Sequence, residues 1–302
     1  MVRARVMEEQ LIQLWRKGQG FFWTGGPGEE NLNISLSRLL KKGEGLDFDF
    51  FHPHYRSGTV GLGMGLPMIS FIRQMKALKS DPFTGGKNFV SHLAVKNWNI
   101  IPTSSPVATQ CILALGTAKA QTRAAQKSLS VCVIGDGSSA SPDFASSMIW
   151  SSRPDNNLPL LSIITNNDIG ISTATKTQVR VISKRAEAFK IKHSIVDGLI
   201  LGKTWSALFQ AFEYVRQEQK PYVLEIKVPR LFGHSSSSGA NRETSLACPI
   251  ENLKKEIPFQ LDFDNLLQEY RLAALNEFQL ALSECEGESY PDAESVLSHS
   301  FA

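Results

Sequence analysis

"VCVIGDGSSASPDF", Val131 to Phe144, decides the fold. It opens as an apolar, β-branched strand, breaks at Gly135-Asp136-Gly137, and resumes as a helical pattern in "DFASSMIWSSR", residues 143–153. The same rhythm recurs on either side. "ATQCILALGTAKAQTRAAQ" is a helix of small residues, "LPLLSIITNN" a second buried strand and "KRAEAFKIK" a helical stretch. "HSIVDG" is a short strand, "TWSALFQAFEYVRQEQ" a helix and "PYVLEIKV" a last strand. Short apolar strands separated by helices imply an α/β fold whose parallel sheet is covered by helices on both faces.

Ahead of this unit the pattern is helical and then loop-rich. Residues 1–20 carry Val6, Leu11, Leu14 and Trp15 near one helical face, and further helices are expected over Asn33–Lys41 and Pro67–Lys79. "FFHPHYRSGTVGLGMG" is expected to be a loop, and "SGTVGLGMGLPM" a place where backbones pack closely across subunits or simply turn. The long connection "SDPFTGGKNFVSHLAVKNWNIIPTSSP" is too rich in Phe, Trp and Ile for a disordered linker, which marks it as functional. The expected division is residues 1–245 as the α/β domain and 246–302 as one amphipathic helix (Leu267, Ala274, Phe278, Leu282) with an acidic, Ser-rich tail or linker, loose from Glu284.

Composition sets limits. Hydrophobic residues make up 42% and charged residues 20% of 302, ordinary for a globular chain. No apolar run is long enough to span a bilayer, and "MVRARVMEEQ" lacks the apolar core of a secretion signal, so a cytoplasmic protein without a membrane partner is expected. Cys111, Cys132, Cys248 and Cys285 are widely separated in sequence and read as buried free thiols. Residues 251–302 hold three basic and eleven acidic groups, so the overall +3 conceals a body of +11 and an end of −8. That body suits an anionic ligand, while the lack of a basic stripe interleaved with aromatics argues against nucleic acid.

In open parallel sheets, ligands bind beyond the carboxyl ends of the strands. One strand here ends at Gly135-Asp136-Gly137 and the next at Asn166-Asn167, with 28 residues between the motifs, room for one helix and the following strand. The two polar ends are therefore neighbours. Magnesium takes hard oxygen ligands and shares them with phosphate. Asp136 offers a charged oxygen, Asn167 an amide oxygen and Ile169 a backbone carbonyl. Gly137 lets a diphosphate approach the backbone, and a helix beginning near Pro142 presents its N-terminus to the anion. A glycine-flanked carboxylate alone is more often a surface turn; joined to Asn-Asn at the next strand end, it points to a bound metal and phosphate.

"GDG" followed at this interval by "NN" resembles the thiamine diphosphate fingerprint. From about Gly18 to Ser237 the chain resembles, more narrowly, the α subunit of the thiamine diphosphate-dependent dehydrogenase component of 2-oxo acid dehydrogenase complexes. Motifs match in order: "GEE" at Gly28–Glu30, "HYRSG", "SHLAVKNWNIIPTSSPVATQ", "NNDIGIST", "VDG" at Val196–Gly198 and "FGHSSSS" at Phe232–Ser238. The resemblance implies a thiamine diphosphate-binding fold. It places the cofactor against Tyr55, Arg56, Ser105, Val107, Gly135, Asp136, Gly137, Ser138, Asn167, Ile169 and His234, with Mg²⁺ on Asp136, Asn167 and Ile169. It gives His234, and with less weight His92, a catalytic part; His54 neighbours the Tyr-Arg pair.

"TSSPVATQ" is similar to the branched-chain, 2-oxoisovalerate type. There the resemblance implies a K⁺ ion held by Ser104, Pro106, Thr109 and Gln110; an N-capped helix, with Ser105 as cap and Pro106 in the first turn, also describes the pattern. The implied reaction is oxidative decarboxylation of a branched-chain 2-oxo acid with acylation of lipoamide. The implied partners are a β subunit, separate or fused, in an α2β2 assembly, and the lipoyl domain of the acyltransferase component. The alternatives are the same machinery acting on pyruvate or acetoin, with Phe21, Phe22 and Trp23 shaping the pocket, or a non-catalytic paralogue serving as a structural partner. Several positions depart from the family's pattern. Thr165 replaces the arginine before Asn-Asn, removing one diphosphate contact. Asp168-Ile169 replaces Gly-Tyr and brings a second carboxylate near the diphosphate unless it points away. Ala140-Ser141-Pro142 stands for Ser-Glu-Gly, and Ser238 for an aspartate in a serine loop expected to be mobile until cofactor binds; relatives are phosphorylated in that loop.

Overall fold

The computed structural model describes residues 1–175, 182–258 and 261–296. Five strands form one parallel sheet: β1 (Phe50–His52), β2 (Ser130–Gly135), β3 (Leu160–Asn166), β4 (Lys192–Asp197) and β5 (Tyr222–Lys227), in the spatial order β1-β2-β3-β5-β4. The register is level at the carboxyl ends. Gly135 pairs with Thr165, Asn166 with Lys227, and Asp197 also with Lys227. All residues of β3 are buried, as its unbroken apolar run requires of a strand covered on both faces. Edge strand β4 has only half-buried and exposed positions, Ile195 among the exposed ones.

Side chains alternate between two cores. Val131, Val133, Leu161, Ile163, Leu224 and Ile226 face a large cluster that includes α1 (Val2–Arg16), α2 (Glu30–Leu39), α4 (Met68–Met75) and α7 (Leu201–Glu218). Cys132, Ile134, Leu160, Ile164 and Val223 face a smaller one with α5 (Thr109–Arg123) and α6 (Pro142–Ser151). All four cysteines are buried and free.

Several expectations are revised. The segment read as a loop after residue 50 contains β1, which extends the sheet, and α3 (Gly58–Met64), which is buried within this chain. A Cβ on Gly63 would sit 2.4 Å from Ser37 Oγ. The glycine at this position therefore lets α3 lie on α2 of the same chain. The stretch read as a helix over residues 184–192 is instead a 3-10 stretch, Ser183–Phe189, followed by a strand that begins at Lys192. Asp262 caps α8 (Phe263–Glu284) through the Asn265 N–H, and Ala274, Phe278 and Ala281 are buried against the body. Arg3 reaches Glu277 on α8. The acidic end expected to be loose from Glu284 is tied down in part: Arg73 forks onto Glu288 at 2.6–3.1 Å, and the Lys79 N–H donates to Ser289 O. Opposite charges explain it, since the body is basic and the end acidic.

Candidate active site

The level strand ends place Asp136, just after β2, beside Asn167, just after β3. Both line one cleft of about 240 Å³ together with His54, Tyr55, Arg56, Val107, Gly135, Gly137, Ser138, Thr165, Ile169, Arg230 and His234. Ten of the eleven expected cofactor residues therefore meet there, all but Ser105, including both expected metal-ligand side chains and Ile169. Asp136 is buried; one carboxylate oxygen accepts from the Gly137 N–H at 2.9 Å and the other from Thr175 Oγ1 at 2.8 Å. Asn167 Oδ1 accepts from the Ile169 N–H at 3.2 Å, which folds the loop back toward the strand end. A carboxylate, an amide oxygen and a carbonyl gathered on one wall suit a hard divalent cation. Among the described residues no three His, Cys, Asp or Glu gather, so a thiolate or histidine metal centre is not built here. A Cβ on Gly137 would meet only Gly170 Cα at 3.7 Å, and one on Gly135 would face His54 Nε2 at 3.5 Å. Gly137 thus leaves room that a phosphate group can enter, while Gly135 lets His54 and Ser138 close on the strand end. Ser141 caps α6 by accepting from the Asp143 N–H at 3.3 Å, with Pro142 in its first turn.

The opposite wall is cationic and aromatic. Arg56 donates from Nη1 to Gly25 O at 2.6 Å and from Nη2 to His234 O at 3.0 Å, tying the aromatic N-terminal loop to the histidine loop. Tyr55 OH lies 3.3 Å from His234 Nε2. Burial first, then the charges of Arg56 and Arg230, pull the His234 pKa down to about 4, so its imidazole is neutral near neutral pH. His54 stacks on the Tyr55 ring at 3.9 Å between centroids, and its buried Nε2 has no hydrogen-bond partner.

Other predicted residues stand outside the cleft. His92 is buried with Nε2 2.6 Å from Ser105 Oγ, so both belong to the support of the loop that carries Val107. Ser105 therefore does not cap α5, which starts at Thr109 after Ala108 adopts φ +67°. Ser104 Oγ donates to Pro106 O at 3.2 Å; Gln110 Nε2 donates to Val133 O at 2.9 Å, leaving Gln110 Oε1 buried and unpartnered. That open oxygen fits a cation ligand. Phe21, Phe22 and Trp23 do not reach the cleft. Phe21 meets Tyr290, Phe22 meets Phe89, and Trp23 is fully buried with its indole N–H on Glu8 at 2.8 Å. The serine segment, expected as a loop, is a hydrogen-bonded turn. Ser236–Ser238 is a 3-10 turn in which Ser235 and Ser238 cap each other, and Ser236 exchanges two hydrogen bonds with the Trp23 backbone.

Asp168 turns away. With φ +62° it lines the neighbouring, larger cavity of about 680 Å³, and Lys227 Nζ stands 3.2 Å from its carboxylate. The feared repulsion with a phosphate is removed by direction and by pairing.

Sequence reasoning missed Arg230 and Thr175, and undervalued His54. Arg230 had no motif around it; the residue order "VPRLFGH" places it four positions before His234, the one signal available.

The family described as dehydrogenase E1 component matches residues 1–288. The chain is 28% identical to the 2-oxoisovalerate dehydrogenase subunit alpha of Bacillus subtilis (strain 168) over 322 aligned positions, covering 100% of this chain and 93% of that protein. It is 28% identical to the mitochondrial 2-oxoisovalerate dehydrogenase subunit alpha 2 of Arabidopsis thaliana over 247 residues, 81% of this chain and 51% of the plant protein. The corresponding human mitochondrial subunit is 25% identical over 248 residues, 82% of this chain and 54% of the human one. The chain thus spans about half the length of the plant and human relatives it matches.

Proposed function

The chain belongs to the dehydrogenase E1 component family, and from that premise we propose that it is the α subunit of a 2-oxo acid dehydrogenase that uses thiamine diphosphate and Mg²⁺ to decarboxylate a branched-chain 2-oxo acid and acylate lipoamide. The observation that carries this reading is the convergence of Asp136 and Asn167, from the ends of adjacent parallel strands, on one cleft with Tyr55, Arg56 and His234. No helix among the described residues is long and apolar enough to cross a membrane.

In this reading Asp136, Asn167 and the Ile169 carbonyl hold Mg²⁺, and the Gly135–Ser138 turn and Arg56 receive the diphosphate. Bound thiamine diphosphate supplies the electron sink for the carbanion left when carbon dioxide departs. Neutral His234, hydrogen-bonded to Tyr55 OH, accepts or returns a proton at the reacting end of the cleft. Arg56 fixes the backbone of that histidine from behind. His92 acts at one remove, by holding Ser105 and with it the loop bearing Val107. The unpartnered Gln110 Oε1 supports a K⁺ ion in the loop Ser104–Gln110.

The family's catalytic glutamate, which activates the aminopyrimidine ring, comes from a β subunit, so the reading requires an α2β2 assembly. Exposed Val107, Ile112 and Leu113 at the start of α5, with Ile149 and Trp150 on the neighbouring α6, support a covering partner there. In this reading residues 1–245 form the cofactor-binding unit, and α8, within the 246–302 segment, braces its helices α1 and α4. The test is turnover of purified chain with its β partner, following carbon dioxide release from branched-chain 2-oxo acids and pyruvate, and acetaldehyde release from acetoin, in parallel. Fastest turnover of the branched-chain acids, lost on removing Mg²⁺ with a chelator, supports the reading. Preference for pyruvate or acetoin moves the substrate class, and no turnover with any of them removes the enzymatic reading.

A further inference from the structure

Relatives place an arginine immediately before the paired asparagines; here Thr165 occupies that position, buried, with its hydroxyl spent on Ile134 O. The cleft should then be short of positive charge on the phosphate side. It is not. Arg230, which follows β5 by three residues, enters from the other side and lines the same cleft as Asp136, Gly137 and Asn167. Building on the proposed function, we propose that Arg230 is a diphosphate-binding residue that supplies from a different strand the guanidinium missing at Thr165.

Three observations carry it. First, Arg56 and Arg230 are the two Lys or Arg side chains that line the cleft among the described residues, and both histidines there, His54 and His234, are held neutral by burial. A magnesium ion matched by Asp136 leaves one positive charge, so a polyanionic diphosphate needs both guanidinium groups. Second, Arg56 has both terminal nitrogens on backbone carbonyls, Gly25 O and His234 O, and is almost fully buried, whereas Arg230 is only partly buried. Third, Arg230 donates from Nη1 to Ile169 O at 3.5 Å and from Nη2 to Ile171 O at 2.9 Å. Ile169 O is the carbonyl assigned to the metal. The guanidinium therefore stands where a cation is wanted, and the weaker of its two contacts is the one a bound Mg²⁺ would take over. That leaves the Nη1 side free to turn to a phosphate oxygen. Two guanidinium groups facing one cavity repel each other. An anion between them relieves that repulsion.

The experiment measures affinity for magnesium pyrophosphate and for thiamine diphosphate with Mg²⁺, by calorimetry on the full chain and on its complex with the β partner. Arg230→Gln is expected to weaken both by roughly 10- to 100-fold, the range for a lost charge-assisted contact. Arg230→Lys, which keeps the charge but cannot span both loop carbonyls, should retain most of the affinity. Restoring the family's arginine in the double variant Arg230→Gln/Thr165→Arg should recover it. Wild-type affinity in Arg230→Gln overturns the assignment. So does an equal loss in Arg230→Lys without recovery in the double variant, since Arg230 would then act only by pinning Ile169 and Ile171. A wild-type chain that binds neither probe, alone or in the complex, removes the proposed function and this assignment with it; binding by wild type with no Arg230 effect removes the assignment alone.

Discussion

Two buried polar regions lie back to back in this molecule and solve opposite problems. Beneath the N-terminal layer, Arg5 Nε pairs with Glu30 at 2.7 Å, both side chains 3% exposed, and Glu30 also accepts the Gly28 N–H at 2.9 Å. Glu8 takes the Trp23 indole. At the strand ends, Asp136, Arg230 and His234 are tied mostly to backbone and hydroxyl groups and face a cavity. Burial and charge are common to both regions. What distinguishes a candidate site is that its polar groups face open space, while Arg5 and Glu30 are buried and paired with each other. Glu29 stands between them. It is buried, one carboxylate oxygen has no hydrogen-bond partner, and it shares a small void with Arg56 and Arg230.

The contrast breaks most sharply at Glu30. Removing one member of a buried ion pair leaves its partner's charge without a match, so Glu30→Ala should cost about 3–5 kcal/mol of folding stability in urea denaturation. Stability near wild type would mean that the cluster is not structurally coupled. Asp136→Ala should do the reverse, with little change in unfolding midpoint but a large loss in ligand binding. Loss of an outer-shell partner already weakens a metal site roughly 10- to 100-fold, so loss of this ligand should reduce Mg²⁺-dependent thiamine diphosphate affinity by at least ~100-fold. A variant that binds normally would show that Asp136 is only a turn residue.

The smallest effect is also the most diagnostic of the boundary between the two regions. Burial raises the Glu29 carboxyl from 4.5 to about 8, against a lowering by Arg56. A raised acid favours the fold while protonated, so this contribution is fully present below pH 4.5 and is lost as pH rises through about 8. Glu8, raised to about 7, acts in the same direction. Buried His52, lowered to about 3, and His234, lowered to about 4, act in the opposite direction, costing stability as pH falls below 6.5. Between pH 6.5 and 8 the histidine contributions fade and the Met1 amine, lowered from 8.0 by burial, acts in their direction, while the two glutamates act against them. Over that window Glu29 should lower wild-type stability by up to about 1.4 kcal/mol per pH unit, and Glu29→Gln should remove that share of the slope while Glu8 keeps its own. Equal slopes in wild type and variant would show that Glu29 is already ionised in the fold.

Much of the parallel sheet was legible because β2, β3 and β5 are continuous apolar runs that period and length identify without help. The site followed from them, since Asp136 and Asn167 are adjacent to strand ends in sequence and a parallel sheet levels those ends in space. β1 was not legible. Three residues in a stretch dense in Gly and Pro carry no periodic signal, and their strand identity comes from pairing with β2. The same holds for α3, whose glycines are weak helix formers made helical by close packing on α2. Phe21, Phe22 and Trp23 misled because aromatic character tells how much surface a side chain seeks to bury, and nothing about which cavity it meets.

The sequence by itself determined the α/β class and the oxygen-donor chemistry at two strand ends, because both follow from local patterns and from the handedness and connectivity of parallel sheets. Only the tertiary structure decided where the long side chains go. It turned Asp168 toward Lys227 and out of the cleft, and brought Arg230 in from a strand more than sixty residues beyond Thr165. The reason is physical: a charged group's energy depends on every other charge and on the solvent it can reach, and these are set by the fold as a whole rather than by neighbours along the chain.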